Sequence, residues 1–373
     1  MRVRKSAAAP ASVRDFASVH ASLLDWYDEH RRDLPWRQTS DAYAIWLSEV
    51  MCQQTRIETV IPYYLRFLSE FPTVMSLAEA PLDRVLTMWS GLGYYRRARM
   101  LHGAAQQVVA DHGGRFPEAP GELRKLSGVG QYTAGAIASI AYGVRASVVD
   151  GNVVRVLSRL FAIGQDMRGG AGLQQIWAIA DSMVPTERPG DWNQALMELG
   201  ATVCTPQSPQ CGICPLQSVC EGRRRGIERD LPRLAPKAKP KRWRRVALVA
   251  TDERGAVLLA RRVRDGLFGG LWEPPSVDAD GPEEGMPRLG AMTGLTLKKG
   301  RCAHVGSFVH ILSHRRIEAD VCLVKDVKRS ATTQNGAKNS TEYDRFEWVD
   351  TAMLSERPMT KFARKVLNAA PIG

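Results

Sequence analysis

Four cysteines within 17 residues place the strongest constraint on how this chain can fold. They are spaced as Cys204-x6-Cys211-x2-Cys214-x5-Cys220, and nearby prolines stiffen the segment. Thiolates at such a spacing can wrap a metal centre within a single loop. Zinc is the competing metal, but it usually takes two closely spaced cysteine pairs, and this segment has only one. The spacing therefore favours a [4Fe–4S] cluster.

Composition narrows the classes of protein to which the chain can belong. Its 373 residues suggest two domains, and a formal net charge of +12 favours a polyanionic partner. The total of seven cysteines is odd, which argues against a secreted disulfide scaffold and for a reducing compartment. No apolar run reaches about 18 residues, so we expect no segment that spans a membrane. Residues 1–15 are expected to form a flexible N-terminus.

A glycine pair marks a candidate site for a phosphate group. Gly128 and Gly130 flank Val129, and a helical pattern begins just after them. Glycines permit unusual backbone angles and leave no side chain between the amide N–H groups and an approaching anion. Together with the dipole of the following helix, those amides can hold one phosphate of a DNA backbone. The alternative is an ordinary helix C-cap followed by a turn.

Glu49 is a candidate general acid on a helix predicted at Ala42–Cys52, which Asp41 can cap. It shares one helix face with Ile45 and Cys52, at i−4 and i+3. An acidic residue in this position is commonly a rim residue or half of an ion pair. If apolar neighbours desolvate the carboxyl group instead, its pKa rises and it keeps a proton that it can donate.

Asp150 is the candidate partner of that acid. It precedes a helical pattern that begins at Val153, and an aspartate in this position is most often an N-cap. Amide N–H groups at the start of a helix are expected to keep this carboxylate ionised, whereas burial would favour the protonated form of Glu49. Two carboxyl groups in opposed environments are typical of an acid and an electrostatic or nucleophilic partner.

The remaining patterns before residue 226 predict an all-α block. Thr55 and Glu58 fit a capping box, so we expect a helix to begin at Thr55 and leave Gln53 and Gln54 in a turn. Further helices are predicted at 12–30, 81–90, 96–112, 134–142, 172–183 and 191–201.

A short tip is predicted between the helices at 81–90 and 96–112. It contains two glycines and ends in Tyr94 and Tyr95. Such a tip can push an aromatic ring into a base stack, or it can anchor a turn in the core.

After the cysteine segment the pattern changes to a linker and then to strands. Residues 222–245 hold eleven Lys or Arg against two acids, so we expect an extended, solvated linker at 226–245 that follows phosphates, or a basic spacer without contacts. Runs at 246–250 and 256–260 flank a turn and predict a hairpin. Further strands are expected near 303–309, 316–324 and 345–349, with helices near 283–293 and 351–369. The second domain, 246–373, is therefore predicted to be α+β.

Together these segments resemble the adenine DNA glycosylases (MutY type) of the helix-hairpin-helix glycosylase superfamily. Trp46–Thr55 matches the family's helix that bears the general acid, with Cys52 where leucine is usual. Leu126–Ala134 matches the hairpin, Val149–Asn152 matches the catalytic aspartate segment, and the cysteine spacing matches the cluster loop.

The resemblance implies a multi-domain protein with an all-α helix-hairpin-helix glycosylase fold at 16–225, a C-terminal iron–sulfur loop at 204–220 and an α+β Nudix-like domain. It implies a DNA glycosylase of base excision repair that hydrolyses the N-glycosidic bond of adenine mispaired with 8-oxoguanine or guanine. The cofactor would be a [4Fe–4S] cluster, and the partner would be double-stranded DNA containing either mispair. We expect a monomer in the bacterial cytoplasm, associated with the nucleoid and not with a membrane.

The same resemblance implies roles for individual residues. Glu49 would be the acid, and Asp150 would be the stabilising carboxylate with Asn152 as its hydrogen-bonding neighbour. Tyr132 would supply an active-site hydroxyl group. The remaining implied contacts are DNA contacts by Arg37, Gln53, Gln54, Thr55, Tyr94, Gly128, Gly130, Ser313 and His314, with Gln54 and Tyr94 wedging the duplex, and cluster ligation by Cys204, Cys211, Cys214 and Cys220.

Three positions refine these expectations. Endonuclease III-like enzymes carry lysine where this chain has Tyr132, and without that amine a Schiff base with deoxyribose does not form easily, so we predict a monofunctional glycosylase. Glu283–Ala291, which corresponds to the metal-binding Nudix helix, has only two acids, so we predict a binding fold that has lost hydrolysis. Phe308–His314 corresponds to the loop that binds 8-oxoguanine, with Leu312 replacing the usual aromatic residue.

Two alternative functions compete with adenine excision. The first is an endonuclease III-like glycosylase/lyase for oxidised pyrimidines, against which Tyr132 and the second domain argue. The second is a non-catalytic, cluster-bearing protein that binds DNA or senses redox state. Retention of both Glu49 and Asp150 argues against it, because a binding protein needs neither.

Overall fold

The computed structural model describes residues 16–168, 170–236, 239–297, 302–329 and 340–372. These residues form two compact units, one comprising residues up to 79 with 100–236, and the other comprising 80–99 with the described residues after 236. The predicted boundaries differ in two respects, because 80–99 belongs to the second unit and 226–236 belongs to the first. The predicted N-terminus, 1–15, lies outside the described residues.

The first unit is helical, and each predicted helix is found with ends that differ by a few residues. The α-helices before residue 237 are α1 (Phe16–His30), α2 (Ala42–Cys52), α3 (Ile57–Glu70), α4 (Val74–Glu79), α5 (Leu82–Met88), α6 (Arg96–His112), α7 (Pro120–Leu123), α8 (Gln131–Tyr142), α9 (Gly151–Leu160), α10 (Gly170–Met183), α11 (Pro189–Thr202) and α12 (Glu221–Arg224). Of these, α5 lies in the second unit and α6 spans the boundary. No helix in the described ranges is long and apolar enough to cross a membrane.

Helix α2 runs through the interior, and its two ends show one correct and one wrong prediction. Asp41 caps it by accepting hydrogen bonds from the backbone N–H groups of Tyr43 at 3.2 Å and Ala44 at 3.4 Å. The prediction of a capping box at Thr55 was wrong, because α3 begins at Ile57 and has no side-chain cap. Gln54 takes a left-handed backbone angle, φ +57°, to reverse the chain.

The apolar core of the first unit fixes the helices that carry the candidate site. Leu23 of α1, Leu157 of α9, Ile176 of α10 and Trp192 of α11 are fully buried in one cluster. Each such side chain stabilises the fold by about 1.5–3 kcal/mol through burial. The cluster therefore holds α11 against the start of α9.

The second unit is α+β, as predicted, but its strand pairing differs from the prediction. Its strands are β1 (Lys241–Ala250), β2 (Val257–Arg262), β3 (Trp272–Glu273), β4 (Ser276–Asp278), β5 (Ala303–Ile311), β6 (Arg315–Val324) and β7 (Tyr343–Val349). They form sheets in the orders β4-β1-β6-β5 and β3-β2-β7. The predicted hairpin of the first two strands was wrong, because β1 pairs with β4 and in parallel with β6, whereas β2 pairs with β3 and β7.

Helices cover both faces of β1. Ala247 and Val249 point to a cluster that includes Phe362 of α14 (Lys361–Ala369), while the alternating residue Val246 points to a cluster that includes Leu289 of α13 (Pro282–Thr293). The helix predicted at 351–369 is divided into a 3-10 segment, 351–356, and α14. An intervening proline at 358 explains the break, because proline cannot donate a helical hydrogen bond.

The basic segment 222–245 is not the extended, solvated linker that we predicted. Leu231 is buried, and the carbonyl oxygen of Arg233 accepts a hydrogen bond from the N–H group of Met167 at 3.0 Å. Strand β1 already begins at Lys241. The residues up to 236 therefore belong to the helical unit, and those from Lys241 onward belong to the sheet of the second unit.

Candidate active site

A cavity of about 560 Å³ in the first unit is lined by the candidate catalytic residues. Glu49 reaches it from α2 and Tyr132 from α8, while Asp150 and Asn152 reach it from the start of α9. Its volume lies within the range of small-molecule sites in proteins. The fold thus brings together residues that lie far apart in the sequence.

Glu49 is buried at the wall of this cavity, with 9% of its surface exposed. Its Oε2 atom accepts a hydrogen bond from the Tyr132 hydroxyl group at 2.5 Å. Burial is the largest effect on Glu49 and raises its pKa to about 7. The hydrogen bond from Tyr132 acts in the opposite direction. Of the nearby charges, Asp150 raises the pKa and Arg37 lowers it. Near neutral pH the carboxyl group is therefore about half protonated and can donate a proton.

Asp150 caps α9 and is held by two hydrogen bonds. Its Oδ1 atom accepts from the N–H group of Val153 at 2.7 Å, and its Oδ2 atom accepts from Nδ2 of Asn152 at 2.8 Å. The amide at the start of α9 was predicted to favour the ionised carboxylate, and this hydrogen bond does so, but burial acts against it. Burial raises the pKa of Asp150, although both hydrogen bonds oppose this effect by favouring the ionised form.

Asn152 is itself fixed by its neighbours. Its Oδ1 atom accepts a hydrogen bond from Nη2 of Arg155 at 2.8 Å, which sets the orientation in which the amide donates to Asp150. A Cβ atom at Gly200 would lie 2.6 Å from the Cβ atom of Asn152. Glycine is therefore required at this position if α11 is to approach the start of α9 so closely.

Tyr132 is a hydroxyl donor in this site. Burial, followed by the nearby Glu49 carboxyl group, raises its pKa well above the ordinary value, so the phenol keeps its proton. The hydroxyl group also lies 3.6 Å from the sulfur atom, Sδ, of Met197 on α11. Among the described residues that line the cavity there is no lysine.

The sequence interpretation missed the face of α11 that lines the cavity. Gln194, Met197 and Glu198 lie on this face, at helical spacing. Glu198 binds Arg32 at 2.7 Å and Arg37 at 2.8 Å. An acid within a largely apolar helix was a detectable signal, but the sequence did not show which cations pair with it. Arg37, predicted to contact DNA, is thus engaged within the protein and lines the cavity.

The turn after α2 also lines the cavity. Gln53, Gln54 and Thr55 all contribute to its wall, and Gln54 is exposed. The Nε2 group of Gln53 donates to Oγ1 of Thr133 at 3.4 Å, which links this turn to α8. The DNA contacts of these three residues stay predictions.

The glycine pair forms the turn before α8. Gly128 has φ +75°, and a Cβ atom there would lie 2.8 Å from Cβ of Met100. Gly130 does not need a left-handed angle, because its φ is −86°. It is the N-cap of α8, and a Cβ atom built at this glycine would meet nothing within 4 Å. Such a helix start can bind an anion.

In the second unit, the two tyrosines of the predicted tip differ in their exposure. Tyr94 is 47% exposed with φ +48°, and the guanidinium carbon of Arg97 lies 5.5 Å from the centre of its ring. Tyr95 is buried, and its hydroxyl group donates to the carbonyl oxygen of Met359 at 2.7 Å. One ring is therefore available to a partner while the other anchors the tip.

Ser313 and His314 lie in the exposed turn between β5 and β6. The Oγ atom of Ser313 lies 3.4 Å from Nδ1 of His314. Leu312 and Phe308 pack against the apolar cluster beside α14. Both polar side chains are therefore accessible, while Leu312 has a role in packing.

Glu284 on α13 is engaged locally. The Oε1 atom of Glu284 accepts a hydrogen bond from Arg288 at 3.0 Å, and its Oε2 atom accepts from the N–H group of Asp280 at 3.0 Å. Both carboxylate oxygens of Glu284 are therefore bonded within the protein.

The four clustered cysteines surround one small cavity beside Arg159. Each is partly buried, and no disulfide links any cysteine in the described residues. Buried Arg159 donates to the Sγ atom of Cys204 at 3.3 Å and to the carbonyl oxygen of Thr205 at 2.8 Å. Within the described ranges, no group of three or more Cys, His, Asp or Glu side chains is placed to hold a single metal ion. Four thiolates in one loop are the donor set that holds an iron–sulfur cluster, so these residues fit such a cluster.

Comparisons with known families agree with both units. Residues 47–177 match the family described as HhH-GPD superfamily base excision DNA repair protein. Residues 204–220 match the iron–sulfur binding domain of endonuclease III, and residues 246–369 match the NUDIX domain. The predicted fold class and the predicted iron–sulfur cofactor are thereby confirmed.

Similar proteins were found along most of the chain. Adenine DNA glycosylase of Homo sapiens is 40% identical over 83% of this chain and 67% of its own length. Adenine DNA glycosylase of Mus musculus is 39% identical over 88% of this chain and 75% of its own length. The structure of a thermostable thymine-DNA glycosylase aligns with a TM-score of 0.52 and 29% identity, covering 58% of this chain and all of the other.

Proposed function

Because the chain belongs to the adenine DNA glycosylase family, we propose that its cavity excises adenine mispaired with 8-oxoguanine or guanine in duplex DNA. The observation that carries this proposal is the presence of Glu49 and Asp150 in one cavity. The enzyme must extrude the adenosine from the duplex, at a cost of a few kcal/mol that mispairing reduces.

Glu49 supplies the proton for the leaving base. It is about half protonated near neutral pH, because burial raises its pKa to about 7. Protonation of adenine at N7 turns a poor leaving group into a neutral one as the N-glycosidic bond breaks. The hydrogen bond from Tyr132 orients the carboxyl group during this transfer.

Asp150 stabilises the sugar as the bond breaks. The sugar then resembles an oxocarbenium ion, and a nearby carboxylate offsets its positive charge or forms a transient adduct with it. Asn152 and the N–H group of Val153 hold Asp150 in place. Water then adds to the C1′ carbon of the sugar, and the proton that it releases restores Glu49.

The enzyme is proposed to be monofunctional. Strand cleavage through a Schiff base needs an amine at the sugar, and the position of the lysine in endonuclease III-like enzymes is occupied here by Tyr132. The phenol keeps its proton, because burial raises its pKa. Hydrolysis without cleavage of the strand is the expected result.

DNA contacts are proposed at several of the described surfaces. In the first unit, the open helix start at Gly130 would bind a phosphate, and Gln53, Gln54, Thr55 and Arg37 line the cavity that receives the nucleotide. In the second unit, Tyr94 would wedge a duplex, and Ser313 and His314 would contact 8-oxoguanine. The second unit is proposed to bind the lesion without hydrolysing nucleotides.

Cys204, Cys211, Cys214 and Cys220 would hold the [4Fe–4S] cluster. When bound, the cluster supplies a cross-link for its loop and takes no part in the proton transfers described above. Arg159 fixes the start of this loop, since its guanidinium group donates to the carbonyl oxygens of Thr205 at 2.8 Å and Pro206 at 2.9 Å.

The test is an excision assay with the full chain on duplexes that carry adenine opposite 8-oxoguanine, guanine, cytosine or thymine, and on duplexes with an oxidised pyrimidine. We expect excision from the first two and no release of pyrimidines. Excision of an oxidised pyrimidine with strand cleavage would support the glycosylase/lyase alternative. Binding to every duplex without excision would support the non-catalytic alternative.

We further propose that the protein acts as a monomer at the bacterial nucleoid. Sedimentation with and without a mispaired duplex would test the first part, and a fluorescent fusion imaged with a DNA stain would test the second. A dimer in solution, or a signal excluded from the DNA, would contradict the respective part.

A further inference from the structure

Glu198 lies at the wall of the cavity, with only 1% of its surface exposed. Its Oε1 atom accepts hydrogen bonds from the backbone N–H group of Arg32 at 3.1 Å and from Nε of the same residue at 2.7 Å. Its Oε2 atom accepts from Nη2 of Arg32 at 2.8 Å and from Nη2 of Arg37 at 2.8 Å. One buried carboxylate therefore binds two guanidinium groups.

The proton state of Glu198 matches this arrangement. Burial on its own disfavours the charged form, but the hydrogen bonds from Arg32 and Arg37 lower the pKa of Glu198 to about 2. The carboxylate is therefore ionised throughout the pH range in which a DNA repair enzyme works. It is an anchor with a fixed charge and not a second acid.

Arg37 depends on this anchor. It ends a short 3-10 turn, Pro35–Arg37, which has no side-chain cap. Its other contacts are a 3.0 Å hydrogen bond from Nη1 to the carbonyl oxygen of Arg32 and a position 5.4 Å from the ring centre of Tyr27. Glu198 is therefore the carboxylate to which the guanidinium group of Arg37 is bonded.

We infer that Glu198 is a positioning residue for base excision, which acts by holding the guanidinium group of Arg37 beside Glu49. Both arginines, Glu198 and Glu49 line the same cavity. The groups that act on the charge of Glu49 are Tyr132 from α8, Asp150 from the start of α9 and Arg37 from the turn before α2. The other charged or titratable residues that line the cavity are Arg32, Cys52 and Glu198.

The consequence concerns the proton on the general acid. The positive charge of Arg37 opposes the effects of burial and Asp150 by lowering the pKa of Glu49. If Glu198 no longer holds Arg37, the guanidinium group moves into the solvent of the cavity and its influence on Glu49 is lost. Glu49 then keeps its proton to a higher pH.

The test compares the full chain with Arg37→Gln, Glu198→Gln and the double variant in single-turnover excision of adenine opposite 8-oxoguanine, measured as a function of pH. We expect the alkaline limb of the profile to move to higher pH in both single variants. The double variant should show the same shift and no further loss of rate, because both changes disable one unit. Rate losses that multiply, or a downward or absent shift in Glu198→Gln, would overturn the inference.

Two further variants keep the test decisive. Glu198→Asp retains the buried charge, but its carboxylate is withdrawn by one methylene group from the guanidinium group of Arg37, so an upward shift is expected here too. A profile identical to wild type would count against positioning. Asp28→Asn is the matched control, because it neutralises a carboxylate in the exposed ion pair with Arg188 at 2.6 Å and should leave the profile unchanged.

The inference rests on the proposed excision activity, and the experiment separates the two. Failure of the wild-type protein to excise adenine would reject the proposed function. Wild-type excision with an unmoved limb in the Glu198 variants would reject the positioning role alone.

Discussion

The hydroxyl group of Tyr132 donates a 2.5 Å hydrogen bond to Glu49, although the two residues are 83 positions apart in the sequence. This contact lowers the pKa of Glu49, while burial and Asp150 raise it. Their balance places the pKa of Glu49 at about 7, where a carboxyl group can serve as a general acid at physiological pH.

The rate of excision should depend on pH through these two carboxyl groups. Above pH 7 the rate should fall about tenfold per pH unit, because Glu49 loses the proton that the base requires. At the acid end it should fall as Asp150 becomes protonated, since burial raises the pKa of Asp150. Single-turnover rates from pH 4.5 to 9 would show a bell-shaped profile, and a flat profile through neutrality would contradict the assignment.

Glu49→Gln should abolish excision while it stabilises the protein at high pH. The pKa of Glu49 is raised on folding from 4.5 to about 7, so the folded state binds more protons and loses stability as pH rises through that interval. The loss approaches roughly 3 kcal/mol above pH 7. Thermal unfolding at pH 5 and pH 8 should show a gain for the variant at pH 8 alone. An equal difference in stability between the variant and wild type at pH 5 and pH 8 would show that ionisation of Glu49 does not destabilise the folded state.

Asp150→Asn should reduce excision by about 100-fold or more, because it removes the charge that stabilises the sugar. The fold should persist, since asparagine is also a good N-cap. Mispair binding and single-turnover excision should be measured together. Asp41→Asn makes the same change at the cap of α2 and should remain close to wild type. Near-normal turnover by Asp150→Asn would exclude a catalytic role.

The wild-type protein should form no borohydride-trapped adduct with mispaired DNA, because the position that carries the lysine in endonuclease III-like enzymes holds Tyr132. Tyr132→Phe should also give no adduct, and its alkaline limb should move upward because the hydrogen bond that lowers the pKa of Glu49 is lost. Gel analysis after borohydride treatment measures the first result. A strong adduct accompanied by β-elimination would show that another amine reaches the sugar.

The two glycines of the hairpin should respond differently to alanine. Gly128→Ala should destabilise the fold by about 1–2 kcal/mol, because φ is +75° and the new Cβ atom would meet Met100 at 2.8 Å. Gly130→Ala should leave stability almost unchanged, since its φ is −86° and the space is open. It should still weaken DNA binding by covering the amides of α8. Denaturation and binding isotherms would separate the effects, and equal stability losses would contradict this distinction.

Predictions that depended on neighbouring residues were the most successful. The helix at 42–52 and its cap by Asp41 follow from local spacing and hydrogen bonding, and the structure has both. The capping box at Thr55 failed because the turn before α3 uses a left-handed angle at Gln54. The predicted hairpin failed because β1 finds its partner in β6, about 70 residues later, and sequence alternation does not specify the partner of a strand.

The sequence by itself determined which residues could carry the chemistry: an acid on an apolar helix, a carboxylate before another helix and four thiolates in one segment. It could do so because caps, turns and metal ligands depend on residue type at short spacing. The tertiary structure alone decided that Glu49 and Asp150 share a cavity, that burial raises the pKa of both, and that Glu198 binds two arginines beside them. Desolvation and ion pairing depend on what packs nearby in space, and those neighbours come from distant parts of the chain.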